Sequence, residues 1–225
     1  MRRTPPIYFM AMHQFLSRRT FFCSGLGLVG AATLPRLAFG NDPPRRGGTL
    51  IVAADTEPRN LNPAIIASNG VFYVASKVIE PLAEASYQGD GTSPRLATSW
   101  MGSKDGLSIA FSLREGVAWH DGKPFTSADV AFSALEVWRK LQNLGRAVFE
   151  NLEAVETPDA KTAIFRFSKP TPFQLIKNAL PALTSVVPRH IYQGTDILAN
   201  PANQKLIGTG PFRFASHTPG AAVRL

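Results

Sequence analysis

The most constraining stretch of this chain runs from Leu107 to Leu141, because three different local signals follow one another there without a gap. Leu107, Ile109, Phe111 and Leu113 alternate with polar or small residues, the period of a strand with one buried face. Asp121-Gly122 is a turn dipeptide, since glycine takes positive φ freely and an aspartate can bond the neighbouring backbone. Thr126 then stands three residues ahead of Asp129, a capping box with Asp in place of the usual Glu. Val130, Ala134, Val137, Trp138 and Leu141 fall on one face of the helix that would follow. Strand, tight turn and capped helix are therefore expected in that order. His120-Asp121 invites a catalytic reading, but neighbours on extended chain point to opposite sides, and no nucleophile elbow lies nearby.

The same stretch carries a family resemblance. Leu113-Arg114-Glu115-Gly116-Val117, Trp119-His120-Asp121-Gly122 and Pro124-Phe125-Thr126 with Asp129-Val130 resemble the signature of the peptide/nickel class of solute-binding proteins. These are the periplasmic receptors of ABC importers, extracellular solute-binding protein family five. Pro94 to Trp100, Thr184 to Tyr192 and Gly208-Thr209-Gly210-Pro211-Phe212-Arg213-Phe214 agree with it, as does the early segment Glu57 to Pro63, where Asn62 replaces a common Asp. A turn former is the only need foreseen at position 62, and Asn meets it as well as Asp.

Charge would otherwise mislead. The chain has 225 residues and a formal charge of +8, which suggests an anionic partner. Yet Arg2, Arg3, Arg18, Arg19 and Arg36 all precede Asn41, and no acidic residue does. Without that segment 19 basic residues face 16 acidic ones, a net +3, and a nucleic-acid partner is not expected. Ser17-Arg18-Arg19-Thr20-Phe21-Phe22 resembles a twin-arginine export signal, and an apolar run continues to Leu34. That run is about 14 residues, short of the ~20 that span a bilayer as a helix. Ala38-Phe39-Gly40 suits cleavage after Gly40, with Met10 or Met12 as a possible start and an uncleaved surface anchor as the alternative. Cys23, the one cysteine, would leave with the signal.

Downstream, Gly47 to Ala54 reads as a buried strand, and Glu57 to Pro63 as a proline-punctuated loop. A helix is expected from about Asn69 to Leu82, with Val74, Val78 and Leu82 on one face. Pro94 to Trp100 predicts a short helix, with an Asp105-Gly106 turn after it. Leu152–Thr157 and Thr162–Ser168 read as a hairpin around Pro158-Asp159-Ala160, with Ile164, Phe165 and Phe167 as its apolar residues. Thr171 to Leu180 suits a helix with Pro172 in its first turn, and Thr184 onward a strand leading to a Pro188 turn. Gly208-Thr209-Gly210 allows a sharp turn, a strand starting after Pro211. It lacks the Gly-Lys-Ser/Thr ending of a phosphate cradle. His120, His190 and His217 have no metal-ligand spacing.

The resemblance implies an α/β architecture, type II periplasmic-binding-protein-like. It is two-lobed in full length, with here the first lobe plus an inserted small domain and the second lobe absent. Residues 1–40 would be the signal peptide, 41–80 the first segment of lobe one, 81–168 the inserted domain and 169–225 a truncated return to lobe one. The loop holding Ser68, Asn69, Gly70, Val71 and Tyr73 would line the ligand cleft. A non-enzymatic receptor is implied, a monomer that captures a short peptide or similar solute and presents it to ABC permease subunits, with no cofactor. Another cargo (nickel, haem, an opine, an oligosaccharide) is the first alternative, and a secreted hydrolase the second.

Overall fold

The computed structural model describes residues 47–86 and 91–225. The expected export signal, Arg18 and Arg19 included, and the expected cleavage after Gly40 lie outside the described residues.

The centre of the fold is a four-stranded antiparallel sheet in the order β3-β4-β6-β5, built from β3 (Ala97–Gly102), β4 (Ser108–Leu113), β5 (Leu152–Asp159) and β6 (Thr162–Phe167). Alternation does its work in the two middle strands. Ile109, Phe111 and Leu113 of β4 and Ala163, Phe165 and Phe167 of β6 are buried, while Ala110, Ser112 and Arg166 face outward. The expected hairpin forms, with Ala160 at its turn, and Ile164 is only half-buried. On the exposed face Arg166 makes a two-pronged contact with Glu156, at 2.8 and 2.9 Å.

A helix lies against the buried face. α2 (Ser127–Phe132) begins at Thr126, whose N–H donates to the Asp129 carboxylate at 2.9 Å, as the capping box predicts. It continues as a π-helical stretch, Ser133–Trp138, in which the Arg139 N–H reaches back to Ala134 O. Val130, Ala134, Val137 and Trp138 are fully buried, and Leu141 is half-buried. Trp138, tilted, and Phe149, edge-on, pack against Phe165 with ring centroids 6.4 Å from it in each case, and Phe111 approaches Phe165 to 4.8 Å. This aromatic group sits within the main hydrophobic cluster.

The remaining elements surround it: α1 (Asn69–Ala75), β1 (Ala83–Ala85) paired with β2 (Thr92–Pro94), α3 (Asn143–Val148), α4 (Phe173–Leu183), α5 (Arg189–Tyr192), and a final hairpin of β7 (Ser216–Thr218) with β8 (Ala222–Arg224). α4 packs Ile176, Leu180 and Leu183 into the main core, opens behind Pro172 and runs on through Pro181. Ala64, Val186, Val187 and Tyr192 join the same core.

Several expectations are corrected. Gly47 to Ala54 forms no strand. Leu50, Ile51 and Val52 are 87, 88 and 69% exposed, because no described strand runs alongside to accept their backbone groups. Pro94 to Trp100 is extended and not helical: β3 pairs along β4, with Trp100 opposite Phe111, and this pairing decides its conformation. The helix after Asn69 stops at Ala75, where the Ser76 hydroxyl donates back to Phe72 O at 2.6 Å, though Val78 and Leu82 are still buried. The strand expected at Thr184 shrinks to one bridge, Pro81 with Ser185. The strand expected after Pro211 starts at Ser216 instead, because Phe212 and Arg213 are held by residues elsewhere.

Candidate solute-binding surface

The loop singled out from the sequence is an exposed corner with a fixed base. Ile66 to Asn69 are exposed, and Ser68 stands at the N-cap of α1, its hydroxyl 3.5 Å from the Val71 N–H it accepts. Tyr73, one turn beyond Asn69, is 49% exposed. Gly70 and Val71 turn the other way. Val71 is 1% exposed in a small core, and a Cβ at Gly70 would stand 2.9 Å from Thr56 O and 3.4 Å from Pro58 N. Of the five predicted residues, Ser68, Asn69 and Tyr73 thus face solvent, and Gly70 and Val71 anchor them. Gly70 is needed for close backbone approach, but the backbone it approaches belongs to this chain's own 56–58 segment.

What holds the corner in place was only half foreseen. Asn62, fully buried, accepts the Ala64 N–H through Oδ1 at 3.0 Å, the turn-forming role expected of it. Its Nδ2 also donates to Asn203 Oδ1 at 2.9 Å and to the Tyr192 hydroxyl at 3.2 Å. Tyr192 in turn donates to Asn203 at 3.1 Å, and Asn203 donates to Ile197 O. An aspartate could accept the turn bond but could not donate to this knot, so Asn and Asp are not equivalent here. Burial pushes the Tyr192 phenol well up from its ordinary value, further still from ionisation than a free phenol, which is already protonated at physiological pH.

The 56–59 segment that meets Gly70 also walls an open groove of about 1010 Å³, closed on its other sides by Gln204, Lys205 and residues 214–217. Glu57 accepts the Gly220 N–H at 2.6 Å and lies 3.7 Å from His217 Nε2. The groove is wide open, and its lining is more apolar than polar.

The histidines sort themselves differently from the catalytic reading. His120 and Asp121 do not pair. His120 bonds Gly208 and Gly210, and Asp121 reaches His190 Nε2 at 2.7 Å. Burial works to raise the Asp121 pKa, yet the bonds from His190 and the Lys123 N–H prevail and hold it below the usual carboxylate range. Among the described residues no serine or cysteine is bonded to either imidazole, and no three His, Cys, Asp or Glu side chains group as a metal site would need. The His190–Asp121 contact joins residues 69 apart and left no signal in the sequence.

Comparison with known proteins places the fold. The family model described as bacterial extracellular solute-binding proteins, family 5 Middle, matches residues 91–225. A putative ABC transporter peptide-binding protein of Brucella ovis is 31% identical over 91% of this chain and 39% of its own length. The dipeptide-binding protein of Escherichia coli is 28% identical over 78% of this chain and 37% of its own length. The oligopeptide-binding protein AppA of Bacillus subtilis, solved with a nonapeptide, superposes with a TM-score of 0.69 at 26% identity, covering 79% of this chain and 36% of that one. NikZ of Campylobacter jejuni, solved with Ni(L-His), gives 0.67 at 31% identity over 78% of this chain and 34% of that one. The chain thus spans about two-fifths of the length of these curated relatives. The four-stranded sheet, its capped helix and the final hairpin all fall within the matched residues, and the chain belongs to the bacterial extracellular solute-binding proteins of family 5.

Proposed function

We propose that this chain is the solute-capturing part of an ABC importer, that its cargo is a short peptide, and that it works outside the cytoplasmic membrane. The observation that carries the reading is the fold shared with a receptor solved around a nonapeptide. The exposed corner of Ser68, Asn69 and Tyr73, anchored through Gly70 and Val71, is the contact surface assigned to the solute. It offers a hydroxyl, an amide and an aromatic ring, the mixture that suits a backbone-pairing ligand of variable side chains. Residues 41–80 and 169–225 are assigned to lobe one and 81–168 to an inserted domain. ABC permease subunits are the partners, the receptor is a monomer, and Arg18-Arg19 directs its export by the twin-arginine route. Capture needs no catalysis and no cofactor.

A second reading, another small cargo, is favoured by two neighbours more alike in sequence than AppA: NikZ with Ni(L-His), and AgaA of Agrobacterium tumefaciens with agropinic acid at 32% identity and a TM-score of 0.60. Mass spectrometry of solute released from protein purified under native conditions, with elemental analysis of the same sample, separates the two. Short peptides in the released fraction support the proposal. Nickel or an opine in their place overturns the peptide assignment.

A further inference from the structure

From residue 51 onward the described residues build two hydrophobic clusters. The larger holds the four-stranded sheet with α2 and α4, and includes Trp119 and Phe125 of the turn between β4 and α2. The smaller is formed by Leu61, Val71, Ala75, Val78, Ile79 and Leu206, with Phe214 and Val223 against it. α1, and so the exposed corner ahead of it, rides on the smaller cluster, whose limited area gives it less resistance to local opening than the main core.

His120 reaches from the turn of the larger cluster to the segment that walls the smaller one. Its N–H donates to Gly208 O at 2.9 Å, and its Nδ1 accepts the Gly208 N–H at 3.3 Å. Its Nε2 lies 2.8 Å from Gly210 O, and Arg213 Nη1 donates to His120 O at 2.8 Å. An amide N–H can only donate and a carbonyl can only accept, so the ring carries its proton on Nε2 and leaves Nδ1 bare.

The clasped segment is laid in turn on residues 77–80, which follow α1. The Gly210 N–H donates to Val78 O at 2.9 Å, the Phe212 N–H to Lys77 O at 3.1 Å, and the Thr209 hydroxyl to Glu80 Oε2 at 2.8 Å. A Cβ at Gly208 would come within 1.8 Å of Val78 O, and one at Gly210 within 2.5 Å of Lys77 O. Gly208 and Gly210 are absent from the positive-φ glycines, so close approach and not turn conformation explains them. The approach has no slack. A shift of 208–212 must move Lys77 and Val78, the residues just past the end of α1.

We infer that His120 is a positioning residue for solute capture: through its two ring nitrogens it locks the 208–212 segment against residues 77–80, just past α1, and so ties the Ser68–Tyr73 corner to the main core. The inference rests on the reading of that corner as the capture surface. Removing both ring bonds should free α1 without touching the sheet.

The test uses the whole chain and two readouts that need no solute. Nitrogen-15 NMR of the imidazoles should show His120 with its proton on Nε2 and a bare Nδ1. Amide hydrogen exchange of His120→Leu should be about tenfold or more faster over residues 68–78 and 208–213, the consequence of two lost hydrogen bonds. Exchange in β4 and β6 should stay at the wild-type rate. His120→Asn, which can still accept the Gly208 N–H, should recover part of the protection. His120→Gln, which keeps a donor for Gly210 O and loses that acceptor, carries the same comparison should the Leu variant not fold. Wild-type exchange over 68–78 in the presence of faster exchange at 208–213 would reduce His120 to a local strut and overturn the inference, as would a proton found on Nδ1. Because no solute is added, a failure of the capture reading leaves this result standing, and the two can fail separately.

Discussion

At the scale of single residues the two buried tryptophans make a controlled comparison. Trp138 Nε1 donates to Ser185 O at 2.8 Å, while Trp119, 2% exposed, has no acceptor for its Nε1 among the described residues. Replacing either indole by phenyl opens a similar space, but only Trp138→Phe strands a buried carbonyl. Trp138→Phe should therefore cost about 1–3 kcal/mol more than Trp119→Phe. Chemical denaturation of both variants reads the difference directly, and equal losses would contradict it. Asp121 gives a pH dependence. Its pKa is held below the ordinary value in the fold, by the bonds from His190 and Lys123 that outweigh its burial. A carboxylate depressed in the folded state stabilises above its unfolded pKa of about 3.9 and loses that contribution as pH falls through the lower folded value. The melting temperature of wild type should exceed that of Asp121→Asn at pH 6, and the gap should shrink as pH falls below the ordinary carboxylate value and through the lower folded one.

At the scale of elements, Asp129 joins two helix starts. One carboxylate oxygen accepts the Thr126 N–H ahead of α2, and the other accepts the Arg189 N–H at the start of α5, at 2.9 Å each. Asp129→Ala should cost about 2–4 kcal/mol, the sum of a lost cap and a second orphaned N–H in a site only 5% exposed. Thermal unfolding measures it, and a loss under 1 kcal/mol would mean that water replaces both bonds. Only the first of these contacts was legible in the sequence, because a capping box is written within four residues. The same holds for β4, the Asp121-Gly122 turn and the hairpin of β5 with β6, each decided by its own period or turn chemistry. β3 was read as a helix because its strand state is decided by β4 opposite it. Gly208 and Gly210 were read as turn residues because the carbonyls that exclude a Cβ lie some 130 positions earlier, at Lys77 and Val78. In the candidate site, the exposed half was legible through Ser68-Asn69, while the Asn62–Tyr192–Asn203 knot beneath it spans distances no local pattern encodes.

At the scale of the whole molecule, two predictions separate addressing from folding. Arg18-Arg19 is proposed as a paired-guanidinium address, so changing both to Lys keeps the charge and removes the planar donors. Precursor should accumulate in the cytoplasm, as fractionation would show, and normal delivery of the double variant would sink the assignment. The second concerns where a folding unit ends. Residues 81–168, proposed as an inserted domain, hold the complete four-stranded sheet and α2. The core it belongs to does not stop at 168. Ile176, Leu180 and Leu183 of α4, then Val186, Val187 and Tyr192, are all buried in the same cluster. Ser185 O takes the Trp138 indole proton, the Val187 N–H donates to the Ser133 hydroxyl at 3.0 Å, and the Arg189 N–H satisfies Asp129. A chain cut to 81–168 would expose the apolar contacts of six such side chains and strand three polar groups at once. At roughly 1.5–3 kcal/mol for each large apolar side chain, the loss is about 9–18 kcal/mol, as large as the 5–15 kcal/mol that a small domain has in total. A chain cut to 81–192 keeps all of them. By circular dichroism and one-dimensional proton NMR, the longer piece should melt cooperatively with dispersed methyl signals, and the shorter should show neither. A cooperative melt of 81–168 alone would show that the sheet and α2 are self-sufficient, and that α4 and α5 merely dock on a finished core.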